Sequence, residues 1–184
     1  VLEQYGITEQ SMNAPILSSM ETVEIGKTKR GLPVLIDRHA FEADGIVLLN
    51  RVKPHTSFRG KYESGLMKML AIGLAKQKGA EATHSLRYEN MAENIEAIAS
   101  VALDKLNIIF GIATVENGYH KIASLHVIPK DEIPVREPEL LRQAWNMMPR
   151  IYLDEIDVLL VGQAGKDISG TGMDTNIIGR FHTG

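Results

Sequence analysis

Gly45-Ile46-Val47-Leu48-Leu49, followed a few residues on by KPHTSFRGKYESGLMKMLAIGLAKQKGAEATH at residues 53–84, decides how this chain is read. The first run is short and apolar, as expected of a buried strand. Pro54 biases Lys53 away from helical dihedrals and keeps the chain extended where His55 emerges. Ser64-Gly65 then opens a helical pattern in which Leu66, Met69, Leu70, Ile72 and Leu74 form an apolar surface with Lys68, Lys76 and Lys78 among them. Lys68 falls in the first turns, where unpaired N–H groups and the helix dipole favour an anion. A lysine there can bind phosphate as a point charge, or have its pKa lowered by burial and serve as a nucleophile or attachment point. It can also simply snorkel from a half-buried face.

Outward from this stretch, Thr22-Val23-Glu24-Ile25 and Pro33–Asp37 read as strands around a turn at Lys29-Arg30-Gly31, with Asp37 capping a short helix. Residues 92–106 carry the apolar spacing of an amphipathic helix, with Asn90 as its N-cap. Residues 107–115 form a near-continuous apolar strand, and residues 121–128 alternate as its antiparallel partner around Asn117-Gly118. His126 in this hairpin is read as a satisfied sheet histidine, and His39 as a surface one. Pro138 is expected to start a further helix, closed by Pro149, with Trp145 in its core stripe. Asp157–Gly162 reads as a last strand that empties into the glycine-rich run at residues 163–174. Such a loop brings backbone N–H groups close to an anion, and its spacing is neither a Walker A motif nor a dinucleotide fingerprint. The alternation of strands and helices predicts an α/β fold with a mixed sheet and flanking helices. A domain change is expected near Pro149, dividing residues 1–150 from residues 151–184.

Composition bounds the remaining classes. The chain has 184 residues, 44% hydrophobic and 23% charged, enough for a proper core. A formal net charge of -3 gives no footprint for nucleic acid. Cysteine is absent, which excludes disulfides, thiolate zinc sites and cysteine-ligated iron–sulfur clusters and fits a reducing cytoplasm. No apolar run approaches the ~20 residues of a membrane span.

Taken together, Pro54-His55, Ser64-Gly65, Lys68 and His84 resemble the nickel-pincer nucleotide lactate racemases and their relatives. Gln163-Ala164-Gly165-Lys166 is similar to that family's Gln-x-x-Lys. The resemblance implies that Lys68 forms a thioamide with the cofactor at a helix start made by Ser64 and Gly65. It further implies that His84 ligates nickel, that His55 exchanges a proton with the substrate hydroxyl, and that Gln163 and Lys166 contact the substrate. Square-planar nickel(II) favours soft sulfur and imidazole donors. The cofactor supplies an S–C–S pincer, so one histidine suffices in a chain without cysteine.

The implied activity is racemisation or epimerisation of a small 2-hydroxy acid by proton-coupled hydride transfer to the cofactor. The implied whole is a larger two-domain protein of which this chain is a fragment, with a second catalytic histidine before Val1 and little activity in the fragment alone. Leu66-Met67 stand where the lactate enzyme is richer in glycine, and the loop after His55 is longer, which points to another 2-hydroxy acid. Two readings from other classes are a non-catalytic anion- or nucleotide-binding domain, and a zinc hydrolase using His55, His84 and Glu63 or Asp174. The sequence leaves the oligomeric state open.

Overall fold

A computed structural model describes residues 2–84, 90–165 and 173–179, with the side chain of His84 outside that description. The first element, after a 3₁₀ turn at Leu2–Tyr5, is the short helix α1 (Glu9–Met12) with Thr8 as its capping-box residue. Strands β1 (Thr22–Lys27) and β2 (Pro33–Asp37) pair antiparallel, and α2 (Arg38–Glu42) follows with Asp37 as its N-cap, accepting from the Ala40 N–H at 2.9 Å. The strand β3 (Ile46–Arg51) leads through the loop at residues 52–65 into α3 (Leu66–Lys68).

The helical segment expected from Ser64 onward is not one helix. A π-helical turn at Met69–Gly73 follows α3, and α4 (Lys76–His84) begins only after Lys76 has taken a left-handed φ of 54°. Tertiary contacts fix the break. Lys76 pairs with Asp37 at 2.8 Å, and the Asp37 N–H donates to the Leu74 carbonyl. Burial works to raise the Asp37 pKa, but the bonds from Lys76 and the Ala40 N–H prevail and hold it below the ordinary carboxylate value.

The helix α5 (Met91–Lys105) buries Ile95, Ile98, Ala99 and Ala102, the stripe legible in the sequence. It returns the chain to β4 (Ile108–Glu116), which lies parallel to β3, and β5 (Ile122–Pro129) turns back antiparallel to β4. The three-stranded sheet, ordered β3-β4-β5, is therefore mixed, and the α/β class expected from the sequence holds. The helices α3 and α6 (Ile133–Met147) cover one face of this sheet, while α4 and α5 also reach the β1-β2 ribbon. The opposite face leaves Leu49, Leu125 and Val127 exposed. His126 bonds the Ser124 hydroxyl at 3.0 Å, as expected of a satisfied sheet histidine. No helix among the described residues is long and apolar enough to cross a membrane.

Two local expectations are corrected. The helix α6 begins at Ile133, so Pro138 lies inside it instead of starting it. Proline lacks the N–H that would bond the carbonyl four residues back, and that carbonyl, on Pro134, takes the Tyr62 hydroxyl instead at 2.8 Å. Nor is Asp157–Gly162 a strand. No described strand pairs with it, and Val158 and Leu160 stand exposed at 76% and 91%. Without a neighbouring strand to pair with, an apolar run forms no ladder, and its exposed backbone groups are left to water.

Tyr62→Phe is expected to lower stability by about 1–2 kcal/mol, because the Pro134 carbonyl loses its donor. Pro138→Ala restores an N–H at the helical position, so the double variant should recover most of that loss. Urea midpoints of the wild type, both single variants and the double variant check this cycle.

Candidate functional site

The loop after β3 is closed at its base by the Lys53–Ser64 bridge, in which the Lys53 N–H donates to the Ser64 carbonyl at 3.0 Å. Inside the loop, Glu63 is 3% exposed and accepts from the His55 N–H at 2.7 Å. Burial raises the Glu63 pKa, opposed by the bonds from His55 and Gly60 and by the nearby Arg59 guanidinium. The backbone around His55 is thereby pinned from below. Its ring accepts from the Ser57 N–H through Nδ1 at 3.1 Å and stacks on Phe58 with centroids 4.2 Å apart. Acceptance at Nδ1 means that the neutral ring carries its proton on Nε2.

Lys68 reaches the same aromatic ring, its Nζ lying 5.6 Å from the Phe58 centroid. Phe58 thus has His55 and Lys68 both against it. Burial pushes the Lys68 amine down to about 8, with the Lys53 charge adding to the effect, and no described carboxylate lies within ion-pair distance of it. At neutral pH roughly a tenth of such an amine is unprotonated, far more than of a solvated lysine. This is the environment expected of an amine prepared for covalent chemistry.

Gly65 and the start of α3 are held from two directions. The Asn50 amide at the end of β3 donates to the Gly65 carbonyl at 2.8 Å. From α6, Glu137 accepts from the Met67 N–H at 2.9 Å, and a Cβ on Gly65 would stand 2.6 Å from its carboxyl carbon. Glu137 is 1% exposed and its Oε1 has no partner. Burial raises its pKa to about 7 against the lowering effect of the Met67 and Leu66 N–H groups.

Beyond the C-terminal ends of β3 and β4 opens a cleft of about 710 Å³. Lys53, Pro54 and Thr56 line it on one side, and Gln163 with Asp174 on another. The segment at residues 173–179 carries α7 (Thr175–Ile178), with the Thr175 hydroxyl donating to the Thr56 carbonyl and Arg59 donating to Asn176. Arg51, on the cleft wall, is ion-paired with Glu116.

Of the residues singled out in the sequence, His55, Ser64, Gly65 and Lys68 belong to one loop and helix start, and Gln163 lines the adjoining cleft. Lys166 lies outside the described residues, as does the side chain of His84, whose backbone ends α4. Among the described residues no group of three or more His, Cys, Asp or Glu side chains is placed to hold a metal. Glu63, a ligand in the zinc-hydrolase reading, turns its carboxylate into its own loop. Sequence reading missed Phe58, Lys53 and Glu137. Glu137 had a legible signal, a carboxylate within the apolar stripe of Ile133, Leu140, Leu141 and Ala144.

Residues 7–96 match the lactate racemase N-terminal domain family, a stretch that contains His55, Lys68 and His84 but ends before Gln163. The lactate racemase apoprotein from Thermoanaerobacterium thermosaccharolyticum is similar in structure, with a TM-score of 0.57 at 20% sequence identity. That match covers 75% of this chain and 36% of the other, so this chain spans little more than a third of that protein's length. At this identity the likeness shows the fold. No curated protein matches the chain.

The raised pKa of Glu137 fixes a pH dependence. A folded-state value near 7 against an unfolded value of 4.5 means that the folded protein holds the proton more tightly. The stability contributed by this group is full below about pH 4.5 and is lost as pH rises through 7. Glu63 acts in the same sense. Denaturant midpoints should fall across that window in the wild type, and Glu137→Gln should flatten the fall while keeping an acceptor for the Met67 N–H.

Proposed function

We propose, from the premise that this is a lactate racemase-like chain, that it forms the cofactor-bearing part of a 2-hydroxy acid racemase or epimerase that uses a nickel-pincer nucleotide. The observation that carries this reading is the placement of Lys68 and His55 against one phenyl ring, with the Lys68 amine depressed to about 8 and no carboxylate among the described residues within ion-pair distance of it. The residues suit such a group. Lys68 would be its covalent attachment, Ser64 and Gly65 would frame the attachment turn, and His84 would give the imidazole donor. A single protein ligand is consistent with the donor set, because the remaining soft donors belong to the cofactor.

When bound, the group supplies the hydride acceptor, and the chain's own residues position the substrate and handle its protons. His55 in its neutral form holds a proton at Nε2, with Nδ1 fixed by the Ser57 N–H. In this tautomer Nε2–H donates a hydrogen bond to a substrate oxygen; to take the hydroxyl proton at Nε2 the ring has to carry its own proton on Nδ1 instead, releasing the Ser57 N–H. Gln163, at the cleft wall, and Lys166 would hold the substrate carboxylate or polarise its oxygen. The substrate is thus read as a small 2-hydroxy acid.

Residues 1–150 are proposed as the cofactor-bearing domain and residues 151–184 as the start of a second lobe. That division is supported by the end of α6 at Met147 and the lack of regular structure described over residues 151–165. A sequence without cysteine is consistent with a cytoplasmic protein.

The test is a mass spectrum of the whole protein produced in cells able to make the cofactor. An adduct on the Lys68 peptide that disappears in Lys68→Arg is the expected result. An unmodified Lys68 together with bound zinc would overturn the reading, and an unmodified Lys68 with retained anion binding would favour a non-catalytic domain.

A further inference from the structure

The cleft beyond β3 and β4 is large and unevenly lined. At about 710 Å³ it lies well inside the range of roughly 300–1,000 Å³ found for drug-sized ligands, and a lactate-sized acid would fill only a small part of it. Much of its wall is apolar, from Met147, Met148, Ile177 and Ile178, and parts of that wall face water. Ile151 is 40% exposed, Val161 49% and Met173 37%. Covering such surface is favourable by roughly 25 cal/mol for each Å² removed from water.

The cations on this wall differ in their engagement. Arg51 is paired with Glu116. Lys53 has no carboxylate within ion-pair distance among the described residues, although Asp174 and Glu116 attract it from further off. Desolvation, and then repulsion from Arg51, bring the Lys53 pKa below its ordinary value. A ligand oxyanion beside Lys53 would relieve both effects.

We propose that this cleft takes a 2-hydroxy acid with a branched or aromatic apolar side chain, its carboxylate at Lys53 and its apolar body along Met147, Met148 and Ile177. The inference rests on the racemase reading above and narrows its substrate. Lys53 acts here as a binding and specificity residue.

The experiment is calorimetric binding to the full protein without cofactor, with three probes: 2-hydroxy-4-methylpentanoate, lactate, and 4-methylpentanoate, which lacks the hydroxyl. The branched hydroxy acid should bind at least about tenfold more tightly than lactate. Lys53→Ala should weaken it by about tenfold or more, and Lys53→Arg should restore most of the affinity. Lactate binding as tightly as the branched acid would overturn this inference and leave the racemase reading standing. Equal binding of the acid without the hydroxyl would overturn it too, as the mark of a site for apolar anions in general. So would an unchanged affinity in Lys53→Ala, or no binding of any probe.

Discussion

A buried carboxyl occupies the space that a side chain at residue 65 would need, and much of the site is arranged around that contact. Glu137 reaches from α6 to the first turn of α3, accepts the Met67 N–H, and stands so close to Gly65 that a methyl group there would overlap it. The Asn50 amide grips the Gly65 carbonyl from the other side. One strand end and one distant helix thus clamp a single glycine. Burying a carboxyl is unfavourable unless its charge is met by hydrogen bonds or removed by a proton. Two backbone N–H groups meet part of it, and the raised pKa reports the rest. The arrangement places Lys68 three residues beyond the clamp, so its direction is set by packing from α6 and β3 as much as by its own helix.

The loop between β3 and α3 gains order by the same means, from polar groups turned inward. Glu63 fixes the His55 backbone, Ser57 fixes the His55 ring, and Phe58 gives that ring and the Lys68 amine a shared wall. Because the loop ends meet at the Lys53–Ser64 bridge, a dozen residues without regular structure behave as a compact unit. Its outer rim becomes one side of the cleft.

The parts of this fold governed by local periodicity were legible in the sequence. The strands β1 to β5 announce themselves by alternation or by unbroken apolar runs, and α5 by its stripe. What tertiary contact decides was not legible. The break after Gly73 depends on Asp37, more than thirty residues earlier, pairing with Lys76. Pro138 sits inside α6 because Tyr62, far away in the chain, supplies the donor that the helix lacks. Asp157–Gly162 has the composition of a strand without a described neighbour to pair with. Around the cleft, His55 and Lys68 stood out through the family resemblance of their stretch, whereas Lys53 looked like an ordinary lysine before a proline. Its setting comes from segments a hundred residues downstream that close the cleft.

The interruption between α3 and α4 has a geometric consequence. Sixteen positions separate Lys68 from His84, and an unbroken rod would carry them about 24 Å apart on nearly opposite sides. The π turn and the left-handed Lys76 replace that rod with two short arms meeting at an elbow. Asp37, which belongs to neither arm, holds the elbow through its carboxylate and its N–H. The angle between the arms is therefore governed from a β-ribbon outside both, and the reach from one arm to the other depends on that outside anchor.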